Sequence, residues 1–140
     1  MKYLLAIFAV ALMIYSCDSS KSAMKGDSET AMAENDTIRI ANDSLEYEIM
    51  IFEPGFTAWL VTQPPRGYYG LEYLEIKNRV FVTEYNQRAL NPQRYSNRLY
   101  PQEIDYDPTV DYGYEVNYLL YNYFVYFQNE YNQNFPGGRN

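Results

Sequence analysis

Residues 112–132 read YGYEVNYLLYNYFVYFQNEYN, and how this stretch folds decides the class of the whole chain. Val116, Leu120, Tyr123, Phe127 and Tyr131 recur at steps of 4, 3, 4 and 4, the spacing of one helix face. Leu119 and Phe124 widen the stripe, while Asn117, Asn122, Gln128 and Asn129 fall off it. Tyr, Phe and Val also favour strands. The stretch shows no period-two alternation, however, and exceeds the length of an ordinary strand. A helix is therefore expected over 112–132. Pro136-Gly137-Gly138 ends it and leaves residues 136–140 as a loose tail.

A second helical pattern covers LEYLEIKNRVFVTEYNQRAL, residues 71–90. Leu71, Leu74, Phe81, Tyr85 and Ala89 share a face that Asn78 interrupts. Glu75–Arg79 and Glu84–Arg88 are favourable i,i+4 pairs, and Asn91-Pro92 stops the helix. Phe56, Trp59 and Leu60 give FTAWLVTQ a short helix, and PPRGYYG (64–70) is a loop.

Residues 37–53 alternate instead. Ile38 and Ile40 flank Arg39, and Leu45, Tyr47, Ile49 and Ile51 oppose Glu46 and Glu48. This is the period of strands, and Asn42-Asp43 suits a turn. Met50 and Phe52 lie on the acidic face, so that face is expected to be covered toward the end of the second strand. Residues 92–111 are polar and turn-rich, with an extended piece at Glu103–Tyr106 placed to join the hairpin. The expected fold is α+β: a small single domain over residues 37–135. It has a short N-terminal β-hairpin and two to three helices, the longest at about 71–90 and 112–132.

The amino terminus is of another kind. Lys2 precedes YLLAIFAVALMIYS, the charged and apolar regions of a secretory signal. Its apolar core, Leu4 to Ile14, is shorter than the roughly 20 residues that span a bilayer. Ile14-Tyr15-Ser16-Cys17 resembles a bacterial lipobox. That resemblance implies cleavage after residue 16 and a diacylglycerol on Cys17, the only cysteine in the chain. The rival is an ordinary signal peptide with a coincidental cysteine. An unpaired thiol in an oxidising compartment would then need its own explanation.

Residues 17–36 would be the lipidated cysteine and a tether. DSSKSAMKGDSETAMAEND holds no aromatic and no branched aliphatic residue, too little apolar surface to offset ordering entropy. A disordered coil of this length places the body about 25 Å from the bilayer.

Composition removes whole classes of function. The formal net charge is −7, and loss of Lys2 with the signal makes the mature chain one unit more acidic. Such a surface repels nucleic acid and anionic headgroups, so the membrane is reached through lipid and nucleic acid is not a partner. There is no histidine, and Cys17 is committed. Triads built on His, His or thiolate metal sites and disulfide exchange are thereby excluded. No cofactor is expected.

The lipobox, the short polar tether and the Tyr- and Asn-rich α+β body resemble the small lipoproteins of Bacteroidota. FEPGFTAWL, VTEYNQR and VDYGYEVNYLLYNYF look like one of their uncharacterised families, over residues 44–132. The resemblance implies a cell-envelope location and no chemistry. The outer membrane, on its periplasmic face, is the expected site. Asp18-Ser19-Ser20-Lys21 matches the phylum's Asp-rich export tags poorly.

Several constellations are candidate sites. Eight of the 17 tyrosines lie between Tyr106 and Tyr131. Tyr123 and Tyr131 sit on the apolar stripe and belong to the core. Tyr114, Tyr118, Tyr121 and Tyr126 lie partly off it and would form an exposed aromatic strip for a partner. Asp105, Asp107 and Asp111 stand at positions 1, 3 and 7 of a calcium-loop spacing. Val110 replaces its Gly, Pro108 occupies position 4 and no Glu stands at 12, so helix capping is the better reading. Arg88, Arg94 and Arg98 read as solvated charges paired with acids. Sequence alone selects no carboxylate pair.

The expected function is a non-catalytic binding or accessory module for another envelope protein or glycan. A carboxylate-based hydrolase of an envelope glycan and a structural subunit of an envelope complex are the alternatives. Cys17→Ser should abolish incorporation of a palmitate analogue and leave the precursor uncleaved. An unlabelled wild-type protein would remove the lipoprotein reading.

Overall fold

A computed structural model describes residues 37–138. The signal, Cys17 and the tether lie outside the described residues. Two strands, β1 (Thr37–Asn42) and β2 (Tyr47–Phe52), precede three helices, α1 (Phe56–Leu60), α2 (Leu71–Ala89) and α3 (Gly113–Glu130). Among the described residues no helix is long and apolar enough to cross a membrane.

The hairpin follows from its alternation. β1 and β2 pair antiparallel, with Ile38 opposite Ile51 and Ile40 opposite Ile49. Ile38, Ile40 and Ile51 are buried. The Asn42 side chain accepts from the Ser44 amide, and Glu46 returns the chain at φ 53°. The outer face differs from expectation: Met50 is 55% and Phe52 69% exposed. The sheet has two strands only, and helix α3 packs against β1. Among the described residues nothing reaches over the other side. The turn into α1 depends on Gly55, at φ +83°, where a Cβ would meet the Tyr126 hydroxyl at 3.1 Å.

Helix α3 is the centre of the molecule and touches β1, α1 and α2. Its apolar stripe is as expected, but its other sides are buried as well. Asn117, Asn122 and Gln128, expected off the stripe, are buried. Each donates its amide to the carbonyl one turn back: Asn117 to Gly113, Asn122 to Tyr118 and Gln128 to Phe124. These bonds satisfy the amide donors within their own helix, and the Asn117 and Gln128 oxygens accept from Asn78, Tyr106 and the Phe135 amide outside it.

Asn78 likewise does not interrupt the buried face of α2. It is completely buried, and its Nδ2 donates to the Asn117 carbonyl and to Asn117 Oδ1, both at 3.0 Å. Asn117 Oδ1 also accepts from Tyr106. The pair fixes α2 against α3 along a seam otherwise made by Leu74, Phe81, Val82 and Tyr85.

The residues after α3 are not loose as far as Gly138. Phe135 is buried against Phe81, Phe124 and Phe127. Its amide donates to Gln128, and Lys77 donates to the Gly137 carbonyl. Leu120→Ala should cost about 2–5 kcal/mol, the range for a fully packed Leu. Tyr118→Phe, which removes a hydroxyl and keeps the ring, should cost about 0.5–1.5 kcal/mol. Urea unfolding measures both.

Candidate functional site

The aromatic strip on α3 is not a surface. Tyr118 is 2%, Tyr121 3% and Tyr126 6% exposed, and Tyr114 is half-buried. The Tyr121 ring packs against Tyr69, Tyr73 and Phe81, and the hydroxyls of the other three bond loop backbone. Tyr118 donates to the Pro64 carbonyl, Tyr126 to that of Pro54 and Tyr114 to that of Tyr69. The Gly67 amide donates to Tyr114 in turn. Arg66 then lies over the Tyr118 ring and pairs with Glu115, which seals the loop from outside. Tyr123, expected in the core, is buried there, and Tyr131 is half-buried.

The other constellations resolve into structure. Asp107 Oδ1 accepts from both the amide and the hydroxyl of Thr109, and Asp111 Oδ1 accepts from the Gly113 amide at the entry to α3. Asp111 thus takes an amide at the helix entry, whereas Asp107 closes a turn in the preceding loop and does not cap the helix, whose N-cap residue is Tyr112. Of the three arginines Arg94 and Arg98 are exposed, Arg94 over Tyr95. Arg88 is a hub: it pairs with Glu84, donates to Tyr100, Gln133 and the Asn134 carbonyl, and lies over the Phe135 ring. Arg98 lies on the rim of a cleft.

That cleft, of about 440 Å³, lies between β2 and the segment 98–105. Residues Glu48 to Glu53 form one wall, without a break. Tyr85, Tyr123 and Tyr131 line it from helices α2 and α3. The far wall is the piece expected to join the hairpin as a strand, and it does not join. Asn86 on α2 takes both backbone groups of Ile104: Nδ2 donates to its carbonyl and Oδ1 accepts from its amide, each at 2.8 Å. These bonds tie the segment to α2. Tyr47 donates to the Asp105 carbonyl and holds the segment's end. The far wall of the cleft is thus fixed by side chains and not by a ladder to β2.

A family model matches residues 3–137. The chain belongs to the family of unknown function DUF6146. No curated protein and no solved structure matches it.

Within this DUF6146 body the cleft contains Glu53, 7% exposed, whose carboxylate accepts from the Tyr131 hydroxyl at 2.9 Å. Burial raises the Glu53 pKa above the usual carboxylate range, against the opposing hydrogen bond, and Glu130 adds to the rise. Burial also pushes the Tyr85 and Tyr131 hydroxyls up to about 12 and the Tyr123 hydroxyl higher still. Burial thus favours the neutral, hydrogen-bonding form of these hydroxyls. Glu48, Glu103 and Asp105 complete an acidic lining opposed by Arg98, with Glu48 also 3.3 Å from Arg39. Sequence reasoning passed over Glu53 because Glu53-Pro54-Gly55 reads as a strand end. Tyr131 lies 78 positions away, and no local pattern links the two.

Because the folded pKa of Glu53 is raised, the folded state binds more protons than the unfolded state between the two pKa values. Its contribution to stability is therefore full at low pH and falls as pH rises through that window. Glu53→Gln keeps an acceptor for Tyr131 and removes the charge. The variant should be at least as stable as wild type at about pH 7, and its stability should change less from there down to about pH 4. Urea midpoints across that range measure it.

Proposed function

We propose that this chain is a lipid-anchored protein of the bacterial envelope, held through Cys17 at the periplasmic face of the outer membrane. Its folded body is a non-catalytic binding module for another envelope protein or glycan, and the cleft beside β2 is where it binds. The observation that carries the reading is the cleft itself. It falls within the roughly 300–1,000 Å³ of ligand sites, and its far wall is fixed by Asn86 and Tyr47. The buried tyrosines of α3 leave no flat aromatic patch there to compete with it. The absence of histidine and the uncharged tyrosines of the cleft support binding over catalysis. The acidic lining favours a partner with positive charge.

A photo-crosslinking residue at Gln102, an exposed cleft residue, should give one defined adduct in intact cells. The same residue at Gln93, exposed outside the cleft, should not. Equal adducts at both positions, or none at Gln102, would remove the cleft from the reading.

One observation favours the alternative hydrolase: a buried carboxyl whose pKa is raised by burial shares the cleft with two further carboxylates, Glu103 and Asp105, and glycoside hydrolysis works with a pair of carboxyl groups. Release of sugar from envelope glycan that Glu53→Gln abolishes would establish that reading and displace the first.

A further inference from the structure

We infer that the outer edge of β2 takes up an extended segment of a partner protein, alternating basic and apolar residues, as a third strand of the sheet. The inference rests on the binding reading above and names its ligand.

A strand paired on one side only presents a row of backbone donors and acceptors on the other. β2 pairs with β1, and among the described residues no backbone hydrogen bond joins it to the segment across the cleft. Six consecutive residues, Glu48 to Glu53, line that cleft. A continuous run places the strand's edge along the opening, whereas a face would contribute every second residue. The opposite wall is tied to α2 instead, through the bonds of Asn86 to the amide and the carbonyl of Ile104.

The side chains specify the occupant. An added strand points alternate residues to opposite faces of the sheet. One set would lie beside Met50 and Phe52, the large apolar side chains that the fold leaves on its outer face. The other set would point inward, toward Ile49, Ile51 and the tyrosines. Around both, Glu48, Glu53, Glu103 and Asp105 outnumber Arg98. Apolar residues on the inner face, against Ile49 and Ile51, match this arrangement, with Lys or Arg on the outer face, their stems over Met50 and Phe52 and their charges near Glu48. A second copy of the chain fits worse, since pairing β2 with itself would bring its glutamates together.

The test uses the full chain in a non-ionic detergent and the peptide Lys-Val-Lys-Val-Lys-Val-Lys-Val as probe. Binding is read by calorimetry, and amide exchange of residues 48–53 is followed in the same samples. The expected result is saturable binding with alternate β2 amides slowed by about tenfold or more, as in a newly protected ladder. The double variant Glu103→Gln, Asp105→Asn should bind about threefold or more weakly. N-methylation of every second peptide amide should abolish binding in one of its two phases and spare the other. The corresponding Glu-Val peptide should not bind.

Binding that leaves exchange unchanged and tolerates both methylation phases would overturn strand addition while sparing the cleft as a site for cations. Absence of binding would overturn the inference, and the Gln102 crosslink would still report on the cleft. A free chain that sediments as a dimer with those amides already protected would assign the edge to a second copy and overturn it as well.

Discussion

The tyrosine hydroxyl that reaches from a buried ring to a loop carbonyl is the contact on which this structure depends. A helix whose sides are all buried needs a coat, and here much of that coat is irregular chain. Loops bring unpaired carbonyls, which are costly to bury without donors. Tyr118, Tyr126 and Tyr114 supply the donors from within α3, at Pro64, Pro54 and Tyr69. Each ring contributes apolar area while its tip closes a backbone bond. The composition makes sense in this light. Leu or Phe at these positions would fill the same space and leave the loop carbonyls orphaned.

Side-chain amides extend the same logic. On α3 they turn back onto their own helix, and between α2 and α3 they bond each other. At Asn86 an amide imitates a strand: its two polar atoms engage one peptide unit of the segment 98–105 as a neighbouring backbone would. Those bonds tie the segment to α2, and the cleft lies between it and β2. The packing of α2 and the candidate site thus meet at one side chain.

The helical phase of residues 112–132 and the alternation of 37–53 were legible because each element repeats its signal several times. The expectation of an α+β domain and the placement of its hairpin and helices rest on those repeats. What was not legible depends on distant partners. Asn117, Asn122 and Gln128 look like a solvated face until the neighbours that cover them are present. Tyr118, Tyr121 and Tyr126 have the character of either core or surface, and only the loop docked on each decides. Arg88 looks like its two exposed companions, yet it reaches Gln133 and Asn134 and binds the chain beyond α3. The pairing of Glu53 with Tyr131 and the clamp of Asn86 on Ile104 leave no periodic trace at all. Alternation did reveal that Met50 and Phe52 share the acidic face. Their exposure became visible only with a sheet of two strands.

Phe135 gives the molecule a clasp. It lies downstream of every strand and helix, yet it is wedged among Phe81, Phe124 and Phe127, with Arg88 laid across its ring. Without that residue α2 and α3 would enclose a void lined by aromatic carbon, and such a cavity is costly. The seam between the two helices is thus completed by a residue that belongs to neither, and the chain end is part of the core it closes.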